Sequence, residues 1–150
     1  MFISLINFAL KQNDTMKELY AQSETRICKA IFPDTLNANN TLFGGKAMQW
    51  MDEAAYISAT RFTRLRMFTS STSNIRFKKA VEPNSIIEVI ARVINAGPVK
   101  LLVKVEIIAE EMYGNQHFTA IEGEFTLVSL NANNKPQRID YSNVLALESI

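Results

Sequence analysis

The second half of the chain reads almost wholly as strand, broken only by turns. Phe68–Phe77, Ile86–Ile94, Val99–Ile108 and His117–Leu130 are the strand-like runs. Within the third, Val103, Val105 and Ile107 alternate with Lys104 and Glu106, the period-two pattern of a strand with one buried face. Between the runs lie Glu82-Pro83-Asn84-Ser85, Asn95-Ala96-Gly97-Pro98 and Tyr113-Gly114-Asn115, where proline presets one dihedral and Asn or Gly tolerates positive φ. No crossover helix fits in such connections, so consecutive strands are predicted to pair antiparallel. Gly123, inside the last run, marks a bulge or bend.

The first half adds one strand, residues 24 to 32, closed by Pro33-Asp34-Thr35, and one long helix. From Lys46 to Phe62 there is neither proline nor glycine, which predicts a helix roughly 25 Å long. Met48, Met51, Ala55, Ala59 and Phe62 recur every three or four residues as its apolar stripe. A helix beside one antiparallel sheet makes an α+β domain with the helix across one face. The other face stays bare unless a second copy covers the edge or the strands curl around the helix. Both outcomes imply a strongly curved sheet and self-association.

Two features of the helix work against folding. Gly44 and Gly45 at its start cost up to about 1 kcal/mol each relative to alanine, which suggests that something approaches the backbone closely. Asp52, four residues after Met48 and three before Ala55, projects from the apolar stripe, while Glu53 is rotated by about 100° toward water. A carboxylate on an inner face needs a partner or a chemical task. A structural Asp, hydrogen-bonded at the stripe's edge, accounts for the pattern equally well. Three arginines near the helix end, Arg61, Arg64 and Arg66, suit the negative end of its dipole and read as a solvated face.

At 150 residues the chain is sized for one domain with one core. A net charge of +1 gives no overall pull toward nucleic acid or an anionic membrane. Cys28 stands alone, which excludes an intrachain disulfide, fits a reducing cytoplasmic setting, and reads as a small buried hydrophobe. His117 has no second His or Cys near it, so no metal site is expected. The apolar start, Met1–Leu10, is too short to span a bilayer and lacks the charge pattern of a secretion signal. Residues 1–23 are expected to form an extension, as a packing helix or a loosely attached arm, ahead of a domain over 24–150.

Against this background Pro33-x-x-x-Asn37-x-x-Asn40-Thr41-Leu42-Phe43-Gly44-Gly45, followed by Trp50-Met51-Asp52-Glu53-Ala54-Ala55, resembles the signature of hotdog-fold acyl-CoA thioesterases. Ile75-x-Phe77-x-Lys79, Ile86-Ile87-Glu88 and Phe125-Thr126-Leu127-Val128 extend the resemblance, which covers roughly residues 24 to 138. It implies a hotdog fold, a curved antiparallel sheet wrapped around one long central helix. The implied reaction is hydrolysis of a fatty or short acyl-CoA to free acid and coenzyme A, with no cofactor. The family's dimers join sheets edge to edge, share active sites across the interface and often assemble into trimers of dimers. By position Asp52 corresponds to the catalytic carboxylate, as general base for water or as direct nucleophile, and Asn37 to a loop asparagine supplied by the other subunit. Backbone amides at Gly44 and Gly45 would stabilise the oxyanion. Asn40, Phe43, Phe77, Lys79, Gly97 and Lys100 fall at substrate-binding positions.

Several positions depart from the family. Asn40 and Asn84 stand where glycine is usual, and asparagine tolerates a left-handed backbone best among the other residues. Ala80 replaces a proline. Gly97-Pro98-Val99-Lys100 stands in place of Gly-Arg-Ser/Thr-Ser, losing an amide at Pro98 and a hydroxyl at Val99. That turn supports an alternative, a non-catalytic hotdog protein that binds acyl-CoA, while the retained Asp52 and Asn37 favour an enzyme. A dehydratase would need His117 in the site, and its place in the last strand puts it remote from the helix.

Overall fold

The computed structural model describes residues 1–142. In chain order the elements are α1 (Phe2–Gln22), β1 (Thr25–Ala30), a 3-10 turn (Pro33–Thr35), α2 (Gly44–Thr63), β2 (Met67–Phe77), β3 (Ser85–Ala96), β4 (Lys100–Glu111) and β5 (His117–Ser129). The strands form one antiparallel sheet in the order β1-β3-β4-β5-β2.

That order corrects one expectation. β2 and β3 are consecutive but not paired; β2 joins β5 at one edge, and β3 lies between β1 and β4. The segment with Glu82-Pro83-Asn84-Ser85 is therefore not a hairpin turn but a crossing over the end of the sheet. Its backbone binds to what it passes: Lys78 and Lys79 N–H donate to Ala120 O, and Asn84 O accepts from Met112 N–H. Leu42 N–H donates to Val81 O in the same crossing, which ties down the loop leading into α2. Asn40 and Asn84 both hold φ at 58°.

A second correction concerns the sheet as a whole. It is open, with β1 and β2 as free edges, and α2 lies against one face instead of being enclosed. Five strands spaced about 4.8 Å apart span only about 24 Å. Encircling a helix 10–12 Å across at backbone packing distance would take a circumference on the order of 60 Å. The exposed face avoids the need for wrapping through ion pairs: Glu24 with Arg26 and Arg92, Arg26 with Glu88, Lys78 with Glu122, and Lys104 with Glu106.

Small side chains let α2 approach the sheet. Ala47, Ala54, Ala55 and Ala59 are fully buried together with Met51, against Val89, Ala91, Val103, Val105 and Leu127. α2 ends on Arg64, whose left-handed φ of 57° reverses the chain directly into β2. β2 then runs back along the helix. Gly123 is explained by the same strand. The β2–β5 register shifts between Ser73 and Arg76, opposite Gly123, and a Cβ on Gly123 would lie 2.2 Å from Ile75 Cδ1. The bulge thus belongs to β2, and glycine makes room for it.

Only the C-terminal end of α1, from Met16 onward, is seen to pack on the domain core. Leu19 is buried, Met16 and Tyr20 rest on the core, and Tyr20 OH accepts from Ala96 N–H. Residues before Leu10 leave Phe2, Ile3, Leu5 and Phe8 exposed. No helix among the described residues is long and apolar enough to cross a membrane.

Candidate active site

Asp52 faces β2. Its Oδ1 accepts a hydrogen bond from Thr69 OH at 2.5 Å, and Oδ2 accepts none among the described residues. Chain geometry brings the two together. Eleven residues of helix from Asp52 to Thr63 rise about 16 Å. After the Arg64 reversal, about five residues of extended chain return roughly the same distance to Thr69. Sequence reading missed Thr69; the signal was this matching of helical and extended path lengths across a tight reversal.

A cleft of about 610 Å³ opens beside this pair, lined by Gln49, Asp52, Glu53, Tyr56, Arg66, Met67, Phe68 and Thr69. Gln49, Asp52, Glu53 and Tyr56 follow the i, i+3, i+4, i+7 spacing of one helix face. Asp52 is therefore on the exposed rim of α2, not on its buried stripe, and Glu53 lines the same cleft instead of pointing away. Met48, Met51, Ala55, Ala59 and Phe62 do pack inward as expected. Cys28, expected to be buried, is exposed on β1 opposite Glu88.

The other candidate residues gather at the start of α2. Asn37 folds its side chain into its own loop: Oδ1 accepts from Asn39 N–H at 2.9 Å and Thr41 N–H at 3.2 Å, and Nδ2 donates to Thr41 Oγ1 at 3.2 Å. One Nδ2 hydrogen stays unused among the described residues. Gly44 sits under the Phe77 ring, where a Cβ would lie 3.4 Å from Cε1, and Gly45 sits under Phe43, where a Cβ would lie 2.7 Å from the ring. Neither glycine N–H has a hydrogen-bond partner among the described residues. Lys79 stands 4.2 Å above the Phe118 ring.

Gly97 and Lys100 lie elsewhere. Gly97 N–H donates to Lys100 O at 2.8 Å, Gly97 O accepts from Tyr141 OH at 2.5 Å, and Pro98 O accepts from Ile139 N–H at 2.7 Å. Burial raises the pKa of the Tyr141 hydroxyl to about 12. Lys79, beside Ala120 and Phe118, and Lys100 lie toward opposite ends of the sheet, about 25–30 Å apart along β4. The described residues contain no group of His, Cys, Asp and Glu able to hold a metal ion.

Residues 39–114, about half of the chain and including Gly44, Gly45, Asp52 and Thr69, match the model of the thioesterase superfamily. The chain belongs to this superfamily. An uncharacterised acyl-CoA thioester hydrolase of Bacillus subtilis (strain 168) is 33% identical over 121 residues, 75% of this chain and 70% of that protein. Among solved structures, this superfamily member is similar to an acyl-CoA hydrolase from Staphylococcus aureus in complex with butyryl coenzyme A, coenzyme A and coenzyme A disulfide. That similarity has a TM-score of 0.75 at 29% identity, over 80% of this chain and 73% of that one. The Staphylococcus enzyme has also been solved with alanine replacing an asparagine, an aspartate and a threonine, which lie 15 and 17 residues apart. The hexameric thioesterase of Yersinia pestis matches with a TM-score of 0.71 at 26% identity, over 76% of this chain and 93% of that one.

Proposed function

We propose that this member of the superfamily hydrolyses acyl-CoA thioesters to a free carboxylic acid and coenzyme A, with Asp52 as the general base. The observation that carries the assignment is the Asp52–Thr69 hydrogen bond at the mouth of the cleft. The asparagine, aspartate and threonine substituted in the Staphylococcus enzyme have the spacing of Asn37, Asp52 and Thr69 here, 15 and 17 residues, which supports the same roles. Thr69 fixes Oδ1 and leaves Oδ2 to take a proton from water. The water oxygen attacks the thioester carbonyl, the C–S bond breaks, and the departing thiolate recovers the proton from Asp52.

The attacked carbonyl also needs donors for its developing negative charge. The unpaired amides of Gly44 and Gly45 suit that task, at the positive end of α2. Gly45 and Asp52 are seven residues apart, about 10 Å along the axis. A base, water, carbonyl and amide donor in line span about that distance, so the spacing alone does not choose between one chain and two, and the unpaired β2 edge beside the cleft favours two. The reading that follows is an active site shared by two chains: Asp52 and Thr69 from one protomer, Asn37, Gly44 and Gly45 from its partner. The unpaired edge of β2, beside the cleft, is the surface on which two sheets would join, and the hexameric Yersinia neighbour is consistent with dimers assembling further. Phe43 and Phe77, exposed over the glycines, would line the acyl path. Coenzyme A thioesters are intracellular metabolites, and we place the enzyme in the cytoplasm.

Release of free thiol from acyl-CoA substrates of increasing chain length tests this reading. Steady turnover of at least one chain length is expected. No release from any of them, with correctly folded protein at micromolar concentration, would overturn it.

A further inference from the structure

Coenzyme A carries its negative charge on the phosphates of its nucleotide half, and the 97–100 turn has little to offer them. Pro98 has no amide hydrogen, Gly97 N–H is spent on Lys100 O, and the Gly97 and Pro98 carbonyls are bonded to Tyr141 and Ile139. Val99 N–H is left without a partner among the described residues, a single donor, so recognition of phosphate at this end rests chiefly on side chains.

Such side chains are there. Arg64, Arg66, Lys100, Lys135 and Arg138 are all exposed, and none has an ion-pair partner among the described residues. The topology collects them. Met67, the residue after Arg66, pairs with Ser129, and Lys100 pairs with Val128, so both cations border the end of β5. Arg66 Nη1 approaches Asn131 O at 3.5 Å, and Asn131 closes the next turn through Lys135: its N–H donates to Lys135 O, and its Oδ1 accepts from Lys135 N–H. Arg138 follows Gln137, whose N–H donates to Ser129 O, and precedes Ile139, which is bonded to Pro98. Asp140 is the acidic residue within this border; Asp52 and Glu53 lie in the cleft. Arg66 belongs to both regions, since it lines the Asp52 cleft with its guanidinium 5.4 Å from the Phe68 ring.

We propose that this basic rim around the end of β5, with Arg66 at its inner edge, holds the phosphates of coenzyme A and sets the enzyme's preference for the nucleotide-bearing thioester. The proposal rests on the thioesterase reading and adds Arg64, Arg66, Lys135 and Arg138 to the substrate-binding position of Lys100. It offers replacements for the amide lost at Pro98 and the hydroxyl lost at Val99. Arginine and lysine side chains supply the charge-assisted hydrogen bonds to phosphate that the turn cannot.

The test compares an acyl-CoA with the matching acyl-pantetheine, for the wild type and for Arg66→Gln combined with Lys135→Gln. The wild type should favour acyl-CoA in kcat/KM, and added salt should narrow the gap. The double variant should lose about tenfold of that preference, through KM. An unchanged preference would overturn the rim. If neither thioester is turned over, the thioesterase reading fails, and equilibrium binding of adenosine 3′,5′-bisphosphate then decides the rim alone: tighter binding by wild type than by the variant upholds it, equal binding overturns it.

Discussion

Thr69 does two things for Asp52: it holds Oδ1 at 2.5 Å, and by doing so it presents Oδ2 to the cleft. Thr69→Val keeps the β-branched shape and removes the hydroxyl. Turnover of acyl-CoA should fall about tenfold or more, chiefly in kcat, with the melting temperature close to that of the wild type. Steady-state kinetics beside a thermal melt would check this, and a matched loss of kcat and stability would assign Thr69 to the fold instead. Glu53 lines the same cleft but has no hydrogen bond among the described residues, so Glu53→Gln should cost much less than Asp52→Asn in the same assay. The helix that carries Asp52 was legible in the sequence, but the placing of Asp52 on its apolar stripe was not correct: the side chain is on the exposed rim, and helical periodicity does not show where the next strand runs.

Helix and strand boundaries were readable almost throughout, since alternation and turn residues are local signals. The pairing of β2 with β5 was not, because pairing depends on which edge a strand can reach. The seven residues between β2 and β3 look like a turn, yet they cross the end of the sheet. Gly123 records that arrangement. Gly123→Ala would press a methyl group onto Ile75 and should destabilise the fold by about 1–2 kcal/mol, measured by urea unfolding. Alanine there without any loss would mean that the β2 bulge relaxes freely. The outer face of the sheet offers a pH test. Hydrogen bonds from Arg92 and Arg26 hold the Glu24 carboxyl below its ordinary pKa. Its contribution is complete above the unfolded-state value and disappears as pH falls through the lower folded value. In Glu24→Gln the drop in melting temperature between pH 7 and pH 3 should therefore be smaller than in wild type, by a modest amount for so exposed a pair.

For the whole molecule, an open sheet with a bare β2 edge beside the Asp52 cleft supports the proposed catalysis between protomers. Mixing separately inactive Asp52→Asn and Asn37→Ala proteins, after reversible dissociation, should restore part of the activity by forming one intact site per mixed pair. No recovery, with exchange of protomers demonstrated, would place each site within a single chain. The sequence pointed to self-association through the uncovered sheet, but it led to a wrapped sheet because a resemblance conveys a family's outline more readily than the span of five strands. The most direct measurement is thiol release from acyl-CoA by wild type and Asp52→Asn, with substrate binding and oligomer size followed in both. The wild type should turn over, and the variant should be slower by roughly 10²-fold or more while still binding substrate in the same assembly. Equal rates in the two proteins would contradict the account, since the carboxylate would then hold structure and do no chemistry.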